Sequence, residues 1–402
     1  MMKKNNLLIL AVAALGFAAC ANDETTAVNE KLAEANAISF RTLVGGQMRS
    51  TDATILNLAS FTVDAYKTGT FGSDAVVKYF GDVVFTKVSD TQTYTSLTKY
   101  YWPSGYNLDF FAYGYASDIS TGITKNASNV FTVITQLDPD NQVDLLYAKS
   151  VNWGKADGAA TNHAIPADNT GVVLNFRHAQ SQIIIKLKNT NDNLKFTVNR
   201  VRVGNLKDRG QVTITDANTD DPGVLASATW NTSISGVDDA TYDVEATAAT
   251  AVTSLAAQAG QSVILIPQEL PTPATTYEGT GSPKEYTKPY ILVDLKIQNN
   301  ATGGDAAYIV GAADNSGAPS NPEYVTAMWP LPALIWAAGY KYIYTVDLAG
   351  GGYYEKNNDA DDNLDPILEG AEIKFVEVTV DGWTDFDGDD TEEGTQPINV
   401  PF

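Results

Sequence analysis

Thiol, imidazole and carboxylate groups do most covalent and metal chemistry in proteins, and this chain is short of the first two. It has one cysteine, Cys20, and two histidines, His163 and His178, against 48 Asp plus Glu in 402 residues. One cysteine cannot form an intramolecular disulfide, a zinc cage or an iron–sulfur site. Two histidines exclude His-rich metal clusters but leave a carboxylate enzyme open. Side chains with ligand oxygens alternate at Asp359, Asp361, Asn363 and Asp365, and again at Asp385, Asp387 and Asp389. Alternating oxygen ligands suit hard cations such as Ca²⁺. Yet, counted from Asp385, Asp390 and Gln396 stand where an EF-hand loop needs its Gly and its closing Glu. Solvated acidic loops account for these runs, so no metal and no cofactor is expected. The sequence has no Gly-x-Ser-x-Gly elbow, no His-Glu-x-x-His helix and no Walker-type loop, and it nominates no catalytic residue. Paired carboxylates of the glycosidase kind stay open, because their pairing is spatial. With 26 Lys plus Arg the net charge is −22, the wrong sign for a nucleic-acid partner.

The cysteine lies in a segment with its own pattern. Lys3 and Lys4 precede an apolar run from Leu7 to Phe17, and Ala18-Ala19 stand directly before Cys20. A basic start, a short apolar run and small residues before a cut describe a secretory signal peptide over residues 1–20. The run falls short of the ~20 apolar residues a membrane-spanning helix needs. No later run reaches that length either, so membrane attachment, where it occurs, is through lipid. The placement of Cys20 is similar to a bacterial lipobox, with Phe17 where leucine is more usual. The alternative is an ordinary signal peptide with an incidental cysteine. Residues 21–36 are polar, with Asp23-Glu24 near their start, and read as a flexible tether.

Strands must position everything beyond residue 37. Ile38, Phe40, Thr42 and Val44 alternate with Ser39, Arg41 and Leu43, a period of two that fits a half-buried strand. Phe61, Val63 and Ala65 repeat the pattern, as do 130–134, 182–187, 196–203, 262–266, 290–297, 340–348 and 372–380. Gly, Asn, Asp, Pro and Ser clusters separate them, as at Asp138-Pro139-Asp140-Asn141. Ala246 to Ala259 is Ala- and Thr-rich, a loop or a short helix at best. The expectation is an all-β chain of Greek-key sandwiches. Single cores seldom exceed ~250 residues, so two domains are expected. The polar stretch Gly154 to Thr170 marks the boundary, giving domains over 50–170 and 171–393.

Both ends of the body hold unusual segments. Gly45-Gly46-Gln47-Met48-Arg49-Ser50-Thr51 follows the first strand, and two glycines make such a loop open to proteases. Arg49 is a basic residue on that loop, whereas Arg41 lies within the strand. Arg49 is either a processing site or an ordinary loop arginine. At the far end, residues 394–402 form a tail in which Ile398, Val400 and Phe402 alternate with Asn399 and Pro401. Pro401 lacks an N–H and tolerates only an edge or non-donating position.

Several runs together resemble the fimbrillin family, the type V pilins of anaerobic Gram-negative bacteria. They are KYYWPSGYNLDFFAYGYAS (99–117), QVDLLYAKS (142–150), LNFRHAQSQIIIKLKN (174–189), ILIPQEL (264–270), WAAGYKYIYTVDL (336–348) and EVTVDGWTDF (377–386). The resemblance implies two tandem transthyretin-like β-sandwiches and assembly into a surface fimbria that supports adhesion or colonisation. It implies an outer-membrane lipoprotein precursor anchored through Cys20. It also implies removal of the first strand, residues 37–49, by an arginine-specific protease cutting between Arg49 and Ser50. Taken only as residues, the tyrosines and tryptophans of WPSGYNLDFFAYG suit a sheet face with a wet edge or a carbohydrate platform. His178 suits a hydrogen-bonded structural role.

The two ends then suggest a mechanism. Removal of the first strand would empty the groove held by Ile38, Phe40, Thr42 and Val44 and expose sheet edges, which are templates for strand addition. Three to four buried apolar side chains contribute roughly 5–12 kcal/mol before ordering costs. The tail of another subunit offers Ile398, Val400 and Phe402 as a donor strand, and a head-to-tail contact that does not close propagates a filament. The partners expected are other subunits of the same kind, the protease, the outer membrane and a host or glycan receptor. Two alternatives remain: a tip or accessory adhesin, if the tail folds into its own domain, and a monomeric carbohydrate-binding surface lipoprotein.

Overall fold

The period of two becomes a strict alternation of buried and half-exposed residues along Val172–His178 and Ser181–Lys188. The computed structural model describes residues 37–44, 58–68, 77–89, 93–115, 122–154, 171–215, 227–245, 250–252, 261–278, 285–300, 307–311, 323–354, 363–368, 375–382 and 396–397. The early strands are β1 (Phe40–Val44), β2 (Ser60–Thr68), β3 (Val77–Lys87), β4 (Thr93–Ser96) and β5 (Asn107–Tyr115). Next come β6 (Ile123–Lys125), β7 (Val130–Ile134), β8 (Leu145–Gly154) and β9 (Val172–His178). The chain continues through β10 (Ser181–Lys188), β11 (Leu194–Lys207), β12 (Arg209–Thr215), β13 (Ser227–Asn231) and β14 (Asp239–Glu245). β15 (Thr250–Val252), β16 (Gln261–Leu265), β17 (Glu269–Leu270), β18 (Tyr290–Asn299) and β19 (Tyr308–Val310) follow. Last are β20 (Val325–Pro330), β21 (Leu334–Ile335), β22 (Tyr340–Asp347), β23 (Tyr353–Tyr354), β24 (Asp365–Pro366), β25 (Phe375–Gly382) and β26 (Gln396–Pro397). Among the described residues the helical turns are short, Pro139–Asn141 and Leu348–Gly350, and no helix is long and apolar enough to cross a membrane. The chain is all-β.

Strands β1-β4-β3-β2-β5-β8-β9 close into a barrel. Its interior is aromatic and aliphatic, with Phe40, Phe61, Phe85, Tyr94, Phe110 and Phe176 buried together. A second sheet, β13-β12-β7-β6, covers the outer face of β5 and β8, where Phe111, Tyr113, Leu145 and Tyr147 meet Phe131, Val133 and Val212. This explains why NLDFFAYGY in β5 is apolar almost throughout: both of its faces are covered. Beyond β9, the sheets β16-β10-β22-β25-β26 and β14-β11-β18-β20-β23-β24 enclose the largest core, which holds Phe196, Trp329, Trp336 and Tyr344.

Two features differ from the sequence-based expectation. The first half is a closed barrel rather than two stacked sheets, because β1 pairs on both sides and joins β4 to β9. The strand at 172–178, expected to open the second domain, instead completes this barrel through β1 and β8. A boundary at 170 therefore falls before the last barrel strand. Composition marks the polar stretch before Val172 but carries no information about which sheet the next strand joins. The chain crosses from barrel to sandwich at Ala179 and Gln180, both buried. Trp230 Nε1 donates to the Ala179 carbonyl at 2.6 Å, the Leu145 amide to Gln180 Oε1 at 3.0 Å, and the Gly339 amide to the Gln180 carbonyl at 2.9 Å. These bonds tie barrel, covering sheet and sandwich at one point.

Candidate functional site

β1 is the closing strand of the barrel. It runs antiparallel to β4, with Phe40 opposite Tyr94, and parallel to β9, with Phe40 to Val44 opposite Val172 to Phe176. Before it, Ala37 bridges Tyr101, the Ile38 amide donates to the Tyr100 carbonyl at 2.7 Å, and the Val172 amide donates to the Ser39 carbonyl at 2.8 Å. The period of two places Ile38, Phe40 and Thr42 inward, all buried, and Arg41 outward and exposed. The side chain of Val44, the fourth expected inward residue, lies outside what is described, though its backbone pairs with Phe176. Burial of Ile38 and Phe40 contributes about 3–6 kcal/mol together. Without β1, the facing edges of β4 and β9 would lose their ladder, leaving donors and acceptors open to another strand.

The remaining expected site residues, Cys20, Arg49, Ser50, Ile398, Val400 and Phe402, lie outside the described residues. The described part of the tail is β26, which pairs with the tail's own sheet: Pro397 lies opposite Thr379 and Gln396 opposite Val380. A proline fits there because β26 is the edge strand.

One arrangement escaped the sequence reading. Asp64 in β2 is fully buried, and its carboxylate meets Lys78 Nζ at 3.1 Å and Lys125 Nζ at 3.0 Å. It also accepts from the Asp82 amide at 2.7 Å. Gly81 and Asp82 interrupt the β2–β3 register there, and a Cβ at Gly81 would stand 2.6 Å from Lys78 Nζ. Lys125 of β6 reaches Asp82 Oδ1 at 2.6 Å and lies over the Tyr113 ring at 4.7 Å. Burial pulls the Lys125 ammonium down, but the hydrogen bonds to Asp82 and Asp64 outweigh it and hold its pKa above the usual lysine value. The Lys125 hydrogen bond holds the Asp82 carboxyl below its ordinary 3.8, and burial pushes the Tyr113 hydroxyl up to about 12. These groups dock the β6–β7 hairpin on the barrel. Lys125 is held as a cation, which suits a clamp rather than a nucleophile.

His178 is a buried structural residue, with Nδ1 2.7 Å from Asp144 Oδ2. The aromatic run at 102–114 is mainly spent on packing: Phe110 and Phe111 are buried and Trp102 meets Phe110 edge-on at 5.9 Å. Of these alternating oxygen-bearing residues, Asn363 and Asp365 are described. Among the described residues no group of three or more His, Cys, Asp or Glu could hold a metal.

A family model described as fimbrillin-like matches residues 48–383. No curated protein matches the chain. Among solved structures, a fimbrial protein from Bacteroides vulgatus is similar at 14% identity, with 86% of this chain and 99% of that one covered and a TM-score of 0.45. The fimbrial anchor protein Mfa2 from Porphyromonas gingivalis is similar at 12% identity, with 86% and 97% covered and a TM-score of 0.30.

Proposed function

Because the chain belongs to the fimbrillin-like family of fimbrial structural and adhesion proteins, we propose that it is a structural subunit of a cell-surface fimbria assembled by protease-triggered strand exchange. The observation that carries this reading is the position of β1, a short strand whose loss leaves two facing edges and an apolar slot in an otherwise complete barrel. In this reading Cys20 takes the lipid, residues 21–36 tether the precursor to the outer membrane, and an arginine-specific protease cuts between Arg49 and Ser50. Removing residues 1–49 takes five basic and four acidic residues from the totals of 26 and 48, so 353 residues with net charge −23 remain. The lipid leaves with the cut segment. The tail of a second subunit, through Ile398, Val400 and Phe402, then occupies the slot, and repetition builds the filament.

A second reading, a tip or accessory subunit with a host or glycan receptor, draws support from the pairing of Gln396 and Pro397 with their own β25. Incubating the full-length protein with an arginine-specific protease separates the two. Ladders or filaments support the stalk subunit, a trimmed stable monomer supports the tip subunit, and an intact bond after Arg49 overturns the processing step. Arg49→Ala should abolish both the cut and the ladder.

A further inference from the structure

Three inward positions in and just before β1 differ sharply in what surrounds them. Phe40 is fully buried, and three rings meet it edge-on: Phe85 at 4.7 Å and 89°, Phe110 at 5.0 Å and 85°, and Phe61 at 6.1 Å and 75°. These rings come from β3, β5 and β2, so the barrel wall itself builds the cage. Tyr94 and Phe176 close it through Phe61, at 4.7 Å and 5.1 Å. Thr42, two residues on, is small and lies within hydrogen-bonding reach of the Tyr94 hydroxyl, which also donates to the Leu58 carbonyl at 2.7 Å. Ile38, two residues before, is a buried aliphatic.

We propose that the Phe61–Phe85–Phe110 cage is the specificity-determining pocket of this groove: it requires an aromatic ring from whichever strand lies there, and so fixes that strand's register. The proposal rests on the reading that β1 is replaced. Its argument, however, comes from the resident strand. Edge-to-face contacts place a ring's positive rim on its neighbours' negative faces, which an aliphatic side chain cannot do. An aliphatic residue in a cage sized for phenylalanine also leaves a void whose walls lose their contacts. A slip by one residue would turn the apolar side chains outward. A slip by two would bring a neighbour of the wrong size: a ring at the Thr42 position would crowd Tyr94, while the cage would receive an aliphatic residue. Within 394–402, Phe402 is the one aromatic residue, so the register of the tail follows: Phe402 enters the cage and, in the direction in which β1 runs, Val400 takes the position Ile38 holds now.

The test is peptide uptake by full-length protein cut with an arginine-specific protease. The probes are labelled synthetic peptides of residues 37–44 and 395–402 with their Phe40→Leu, Phe402→Leu and Ile398→Ala variants. Each Phe→Leu change should cost about tenfold or more in affinity, the loss of ring contacts plus the void. Ile398→Ala should cost clearly less than Phe402→Leu. Equal uptake of the Leu variants overturns the cage as selector while leaving strand replacement intact. Uptake of the 37–44 peptide with its Phe40 dependence, without uptake of 395–402, supports the cage and removes the tail as donor. Uptake of neither unmodified peptide overturns both the cage and strand replacement. As a check from the wall side, Phe85→Leu in the full-length protein should weaken discrimination between Phe402 and its Leu variant, and undiminished discrimination counts against the cage.

Discussion

Gly171 lies against the backbone of Phe40 so closely that a Cβ on it would stand 2.7 Å from the Phe40 carbonyl carbon. Its φ of +76° is one that residues with side chains rarely adopt. The residue leading into β9 is therefore shaped by the strand proposed to leave. Gly171→Ala should unseat β1, at about 1–2 kcal/mol for the backbone conformation alone with the collision added. Hydrogen exchange should speed up across 40–44 while β18 and β22 in the sandwich stay as slow as in the wild type. Unchanged exchange in β1 would mean that this contact does not hold the strand.

Phe40 and Arg41 are neighbours with opposite fates, one buried among rings and the other in water. Phe40→Ala should cost roughly 3–5 kcal/mol in chemical denaturation, whereas Arg41→Ala should fall within about 0.5 kcal/mol of the wild type. Similar losses for the two would contradict the inward and outward assignment of β1.

That assignment was legible because Ile38, Phe40 and Thr42 alternate with polar neighbours, a local signal. The partner of β1 was not. Parallel pairing of Phe40 with Val172 joins segments far apart in sequence, and neither reports the other in composition or period. For the same reason the reading placed Val172–His178 with the second half of the chain. Asp64 was hidden differently: a single acid in SFTVDAY looks like an outward residue of a strand, yet it points to two lysines under a covering hairpin. The available clue was Gly81-Asp82 inside the apolar β3, a pair that commonly marks a bulge. β5, by contrast, carries a mark of its two covered faces in the apolar run over 110–115.

The clamp around Asp64 and Asp82 gives a pH dependence whose sign follows from Asp82. Its folded pKa lies below the ordinary 3.8, chiefly through the hydrogen bond from Lys125, with burial opposing. A depressed carboxylate contributes stability that is fully present above its unfolded pKa and lost as pH falls through the folded value. Asp82→Asn should therefore lower stability at neutral pH and flatten the acid limb below about pH 4. Its side chain is 64% exposed, so solvent screens the effect and it should be small. Lys125→Met removes a cation from the fully buried Asp64 carboxylate and should cost more, roughly 1–3 kcal/mol, since Lys78 remains. Acid denaturation curves of the two variants check both; a steeper acid limb in Asp82→Asn would reverse the assigned sign.

Charge and burial make opposite demands on the proposed filament. In the proposed assembly a subunit cut after Arg49 would carry a net charge of −23, left when five basic and four acidic residues depart from the chain's −22, so neighbouring subunits would repel. Attraction in that assembly would then have to come from side chains of the kind that Ile38 and Phe40 bury now. Raising the salt from 0.1 to 1 M shortens the screening length from about 10 to 3 Å. That weakens the repulsion and leaves buried apolar contacts in place. Filaments formed from cleaved protein should accordingly keep or gain length in 1 M NaCl, read by light scattering and electron microscopy. Shortening or dissolution under these conditions would place the binding in surface ion pairs and remove the slot left by β1 as the source of cohesion.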